Sequence, residues 1–325
     1  MKIGTRKSTM AMAQTEEVAR RLTTACPGLD VDIVPFQTRG DADQVSKLDR
    51  HGGKGGAFVA EIRQAMREGS LQAAMHSLKD IPGNEETPDL VLAAMLTREA
   101  ATDALVLRDG LDPDTFFKSQ GAGFKIGTNA VRRAAYLRRL FPDAEVIHYR
   151  GAADTRIQKL DEQRLQRLPD GSEVGPADAL VMAQAGLKRV GQAHRSVYEF
   201  SADEMLPAIA QGIVTVECAE RDWQSRERLA AIDDPLTHLC ADAEREVLWV
   251  LNGHCNSPIA GHSRIENGRM RLKAAVIAED GARLIESERE GPADRPRELG
   301  RAIGLDLLKK GADLVIESTA PPDYF

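Results

Sequence analysis

The 325-residue chain has no apolar run long enough to span a membrane, and its opening MKIGTRKSTMAMAQTEEVARR has no hydrophobic stretch of the signal-peptide kind. A cytoplasmic protein without membrane contact is expected. An excess of cations is also missing: 43 Lys and Arg stand against 50 Asp and Glu, a formal charge of −7, which gives no general affinity for nucleic acid. Cysteine is scarce. Cys26, Cys218, Cys240 and Cys255 form no CxxC pair, and a reducing compartment disfavours structural disulfides. Cys240, Cys255, His238 and His254 fit no standard zinc spacing, so no metal is expected. Repeats and low-complexity linkers are absent too. The run GGKGG at 52–56 lacks the GxxxxGK[ST] pattern and follows no strand directly, which removes a nucleotide site and leaves Lys54 as a loop cation open to an anion.

What is present is an ordinary soluble composition, 42% hydrophobic and 29% charged, with room for two or three domains. KIGT, VDIVPFQT, LQAAMHSL, DLVLAAML and DALVL read as strands, and FVAEIRQAMREG as an amphipathic helix. FKIG, helix AVRRAAYLRRLF, strand EVIHY, helix TRIQKLDEQRLQRL (155–168) and strand ADALVMA then alternate. That order predicts α/β domains with largely parallel sheets. Beyond about residue 235 a long helix, three strand-like runs and the helix PRELGRAIGLDLLKKG predict a separate α+β domain.

Ligands of α/β domains gather where the chain leaves a strand and enters a helix. Charged and polar residues occupy several such places here. Arg6 and Ser8 follow KIGT, Lys79 and Asp80 follow AAMHSL, Arg132 and Arg133 follow FKIGTN, and Arg150 follows EVIHY. Any one of them could be a solvated loop residue, but their shared placement favours a site. Between Lys125 and Arg195, 13 Lys or Arg stand against 8 Asp or Glu, a cationic stretch inside an anionic chain. Thr128 or Asn129 is expected to cap the helix that bears Arg132 and Arg133, leaving free N–H groups beside two guanidiniums, a geometry suited to carboxylate or phosphate.

Asp80, in HSLKDIPG, would be a lone carboxylate among these cations, able to stabilise a cationic intermediate or relay a proton, although the turn before Pro82-Gly83 also explains it. His76 reads as a hydrogen-bonded core histidine. Cys26, Cys218 and Cys240 read as small hydrophobes or incidental thiols. Cys255 differs, because Gly253, Asn256 and Pro258 place it on a turn where a thiol can react. An incidental loop cysteine is the alternative.

Taken together these segments resemble the porphobilinogen deaminase, or hydroxymethylbilane synthase, family. IGTRKS, TRGD at 38–41, GGKG at 52–55, HSLKDIP, RRAAYL, YRG with Thr155-Arg156, AGLKR at 185–189, LPAIAQG at 206–212 and the cysteine loop with Pro258-Ile259 all come in family order. The resemblance implies two domains like type II periplasmic binding proteins around a cleft, joined by two crossovers, plus a smaller C-terminal α+β domain. The expected boundaries are 1–98 with 208–230, 99–207, and 231–325, in a monomer. It implies a dipyrromethane cofactor on Cys255 through a thioether, reaching from the third domain into the cleft. Porphobilinogen would lose ammonia to give an azafulvene that the growing chain attacks, four additions giving a linear tetrapyrrole. Asp80 matches the catalytic aspartate. Arg6, Ser8, Lys54, Ser77, Lys79, Thr128, Asn129, Arg132, Arg133, Arg150, Arg156 and Arg189 match cofactor- and substrate-binding positions.

The chain departs from the family pattern where ligand is expected. GTNAVRR replaces Gly-Thr-Ser-Ser-Leu-Arg-Arg, so Asn129 and Ala130 remove two hydroxyls. Gly56 and Ala57 precede Phe58 where one residue is usual, Ala152 stands where Asn is common, and Ala210 replaces the first glycine of Gly-Gln-Gly. A non-catalytic protein that binds carboxylate-rich pyrroles is the competing reading. Asp80 and Cys255 together separate the two, since binding alone needs neither.

Overall fold

Ser8 sets the first boundary in the chain. Its hydroxyl accepts from the N–H of Ala11 at 3.3 Å, ending strand β1 (Lys2–Arg6) and starting helix α1 (Thr9–Ala25). This is a computed structural model, and it describes residues 1–37, 59–168, 170–253 and 257–319.

The first sheet runs β2 (Asp32–Phe36), β1, β3 (Ala73–Ser77), β12 (Val214–Ala219), β4 (Leu90–Met95). The second runs β11 (Ser196–Glu199), β5 (Asp103–Leu107), β10 (Ala179–Ala183), β6 (Lys125–Thr128), β7 (Glu145–His148). Neither is largely parallel as the element order suggested. β12 is antiparallel to both β3 and β4, and β5 to both β10 and β11. The inverted strand in each sheet is the one by which the chain arrives from the other, so two crossings, at 96–102 and 200–213, explain the inversions. This is the topology of a two-lobed periplasmic-binding-protein-like fold.

Helices cover the sheets. α2 (Ala60–Arg67) joins α1 on the first; α3 (Pro113–Lys118), α4 (Val131–Leu140), α5 (Ala153–Asp161) and α6 (Gln184–Arg189) serve the second. The helix expected over 155–168 covers 153–161 instead. Gln163 then takes a left-handed backbone, and β8 (Gln166–Arg167) pairs with β9 (Glu173–Val174). α7 (Trp223–Ala230) returns to the first sheet, and Asp234 caps the long α8 (Pro235–Val250) by accepting from Thr237 N–H at 2.8 Å. An antiparallel sheet of β13 (Ile259–Glu266), β14 (Arg269–Ile277) and β15 (Leu284–Pro292) follows, packed with α9 (Pro296–Lys309) and α10 (Ala312–Ser318). α9 lies close on α8 because Gly300 is bare there; a Cβ would overlap the carbonyl oxygen of Ala243. No helix among the described residues is long and apolar enough to cross a membrane.

The crossings are tied to each other and to α8. Gly212, at φ +91°, leaves no space for a Cβ against the carbonyl oxygen of Glu99. Arg98 donates through Nε to the carbonyl of Gln211 at 2.9 Å and through Nη1 to the buried Glu244 at 2.6 Å. Glu244 also accepts from the N–H of Ala210 at 2.7 Å and of Ser263 at 2.7 Å. One carboxylate on α8 thus holds both crossings and the third sheet.

Candidate active site

A cleft of about 530 Å³ opens between the two five-stranded sheets, with the residues that follow their strands on its walls. From the first sheet come Arg6 at the end of β1 and Ser8 just beyond it, and Ser77 at the end of β3 with Lys79 and Asp80 in the 3₁₀ turn that follows. From the second come Asn129, Arg132 and Arg133 around the start of α4, Arg150 after β7, Arg156 on α5 and Arg189 at the end of α6. Eleven of the fourteen residues expected from sequence therefore share one cavity. Thr128 does not face it; it is buried, and its Oγ1 accepts from the N–H of Ala130 at 3.2 Å. Lys54 and Cys255 lie outside the described residues, while Ser257, just beyond the cysteine, lines the cleft.

The expected helix cap is different. Ala130, not Thr128 or Asn129, is the N-cap of α4, and it offers no side-chain oxygen. Ala152 likewise caps α5 without a side-chain bond. The free N–H groups of both first turns therefore have no side-chain acceptor at the N-cap.

Charges on the two walls are arranged unequally. Arg6 Nη1 lies 3.7 Å from Asp80 Oδ2. Arg132 and Arg133 both reach the buried Asp103 at the start of β5: Arg132 Nη2 donates to Oδ2 at 2.6 Å and Arg133 Nε to Oδ1 at 3.0 Å. Burial raises the Asp103 carboxyl, but the two guanidiniums outweigh it and hold it well below the usual carboxylate range. These arginines are thus half committed to an internal partner while still bordering the cleft. Arg156 is not: its Nε is buried with no hydrogen-bond partner, and burial, with Arg133 nearby, brings its pKa down to about 10. Burial also lowers Arg189, whose Nη2 donates to the carbonyl of Gly212 at 3.1 Å. Lys79 is pushed down to about 8, by burial first and then by Arg133. In all three, burial is the largest cause of the shift, ahead of any nearby charge.

Sequence reasoning missed three residues that organise this wall: Asp103, Gln211 and Glu244. Asp103 opens an apolar strand in DALVL, where an acid is out of keeping with burial. Gln211 interrupts the apolar run LPAIAQGIV. Glu244 had no such signal, because it sits among other charges on α8. His76 is buried in the core as expected, but its Nε2, 3.5 Å from Glu217, is in ion-pair range without a hydrogen bond. Cys218 and Cys240 are buried, and burial raises both thiols, Cys218 to about 11.

The fold and cleft define a two-lobed α/β protein of the periplasmic-binding-protein-like class, with a cleft lined by cations and an added C-terminal domain. The chain belongs to the porphobilinogen deaminase family: the family model described as "Porphobilinogen deaminase, dipyromethane cofactor binding domain" matches residues 1–227, and the family's C-terminal domain matches 238–309. Porphobilinogen deaminase 2 of Streptomyces coelicolor is 38% identical over 98% of this chain and 97% of its own length. Porphobilinogen deaminase of Xanthomonas campestris pv. campestris is 39% identical over 96% and 97%. Among solved structures, a BvgS VFT2 domain from Bordetella pertussis covers 71% of this chain and 85% of that chain, with 15% identity and a TM-score of 0.40.

Proposed function

We propose that this chain is a working hydroxymethylbilane synthase, which removes ammonia from porphobilinogen and joins four units head to tail on a dipyrromethane primer carried by Cys255. The observation that supports this best is Asp80 beside Arg6 in a cleft whose opposite wall is rich in arginine. The residues present fit the cofactor's carboxylates, since the buried Nε of Arg156 has no internal partner. When bound, dipyrromethane supplies the nucleophilic pyrrole carbon to which new rings are joined.

Arg150, Arg156 and Arg189 neutralise acetate and propionate groups through charge-assisted hydrogen bonds. Arg132, Arg133 and Lys79 add the cations nearest the crossings, and Lys54 one from the glycine-rich loop. Ser8, Ser77 and Asn129 are neutral polar groups on the wall, and Thr128 fixes the turn behind it. Asp80 accepts from pyrrole N–H groups and stabilises the positive charge that develops on porphobilinogen as its amine leaves. Arg6 keeps that carboxylate oriented. The domain boundaries 1–98 with 208–230, 99–207 and 231–325 suit this division of labour, with two crossings between the lobes.

The test is intact mass together with turnover. Protein from a porphobilinogen-competent host is expected to carry a dipyrromethane increment that vanishes in Cys255→Ala, and to convert porphobilinogen to a linear tetrapyrrole. An unmodified mass and no turnover would leave the reading as a carboxylate-binding protein.

A further inference from the structure

The side chain of Gln211 is fully buried in the return crossing and makes five polar contacts that reach both lobes and the outgoing crossing. Its Oε1 accepts from Lys79 Nζ, beyond the first sheet, at 3.2 Å and from Arg133 Nη2, beyond the second, at 3.2 Å. Its Nε2 donates to the carbonyls of Ala101 at 2.7 Å and Thr102 at 3.3 Å, in the outgoing crossing, and to Asp103 Oδ1 at 2.9 Å. Oxygen toward the cations and nitrogen toward the acceptors is the one orientation that satisfies every neighbour.

We propose that Gln211 is a positioning residue for the cleft: its amide sets the separation between the Lys79 ammonium and the Arg133 guanidinium, from a place that belongs to neither sheet. The proposal rests on the cleft being the binding site argued above. Two cations recessed side by side repel, and the nearest buried anion, Asp103, is already taken by Arg132 and Arg133. A neutral carbonyl between them offsets part of that repulsion without adding a second buried charge. The opposite end of the same group must donate, because it faces two carbonyls and a carboxylate. A hydroxyl is too short and a carboxylate too negative beside Asp103; an amide of this length meets both demands. Among the described residues, the charged groups acting on Lys79 include Asp80, Asp103, Arg132 and Arg133. A lysine whose pKa sits near 8 changes charge close to neutrality, so the presence of one acceptor alters how much of it is cationic.

The experiment follows the pH dependence of Lys79 acylation, read by peptide mass spectrometry, in wild type, Gln211→Met and Gln211→Glu, alongside kcat and KM for porphobilinogen. Methionine keeps the length and loses the acceptor. Its Lys79 midpoint is expected to fall by about half a unit or more, and KM to rise several-fold with kcat changed much less. Glutamate keeps an acceptor toward both cations but loses the donor toward Ala101, Thr102 and Asp103 and adds a charge there, so its midpoint should stay at or above wild type while its KM rises as well. The lysine titration reads out even if the chain proves inactive, so failure of the catalytic reading stays distinct. An unmoved midpoint in Gln211→Met, a fall in Gln211→Glu as large as in Met, or a shifted midpoint with unchanged KM in an active enzyme overturns the proposal. If Gln211→Met does not fold, the Glu comparison alone decides it.

Discussion

Arg6 Nη1 stands 3.7 Å from Asp80 Oδ2, so the arginine that ends the first strand faces the aspartate that follows the third. That distance is an ion pair too long for a direct hydrogen bond. Neighbouring strands of one sheet, β1 and β3, bring them together, which means the pair needs no contribution from the other lobe.

Asp80→Asn keeps size and removes the charge. With preassembled cofactor supplied, kcat for porphobilinogen is expected to drop about a hundredfold or more, with KM changed far less. Steady-state kinetics on protein whose mass confirms loading checks this. Near wild-type turnover would take Asp80 out of the chemistry.

Asp103→Ala leaves two buried guanidiniums without their anion. Urea unfolding is expected to reveal a loss of about 3–5 kcal/mol. Arg132→Leu should cost stability as well as cofactor loading, since its Nη1 also donates to the carbonyl of Leu206 at 2.9 Å. Weakened loading at undiminished stability would assign Arg132 to ligand alone.

Glu217 gives an acid-side test. Burial pushes its pKa up, but His76 and Arg63, the latter donating through Nε and Nη2 at 3.0 and 2.9 Å, pull it down to about 2. A depressed carboxyl adds stability above its unfolded value of 4.5, and that stability drains away as pH falls toward 2. Between those limits the wild type should lose stability more steeply than Glu217→Gln, by up to about 1.4 kcal/mol per pH unit. Urea midpoints at pH 4.5 and 3.5 in both proteins supply the comparison, and equal slopes would refute it.

Ala130→Ser restores an N-cap oxygen to α4. The backbone there is already extended, at φ −93° and ψ 117°, so a serine can accept from the first turn and raise stability by about 1 kcal/mol. Asn129→Ser/Ala130→Ser is also expected to improve loading or elongation if the hydroxyls meet pyrrole carboxylates. Calorimetry separates the first effect from kinetics, which reads the second. A lower melting temperature would mean the alanine caps are tuned to their helices.

Positions were more legible than partnerships. The residues that follow strands could be named because strand ends and turn residues are local features, and Arg6, Asp80, Arg150 and Arg156 all reach one cleft. The helix at 155–168 was overdrawn because leucines at helical spacing continue past Gln163, where the backbone turns left-handed to pair β8 with β9. The two inverted strands were invisible, since direction within a sheet is decided by which lobe the chain comes from. Asp103 and Gln211 gave only the weak sign of a polar residue in an apolar run. Their partners lie 29 to 132 residues away, and no spacing rule reaches so far.

Glu244 has a mechanical consequence. Both passages between the lobes, at Arg98 and Ala210, are pinned to this one side chain and through it to Ser263 on β13. The C-terminal sheet is therefore bolted at the axle of the molecule and not at its rim. A force that parts the two lobes must strain the bonds to this one carboxylate, and so is felt by the C-terminal sheet as well.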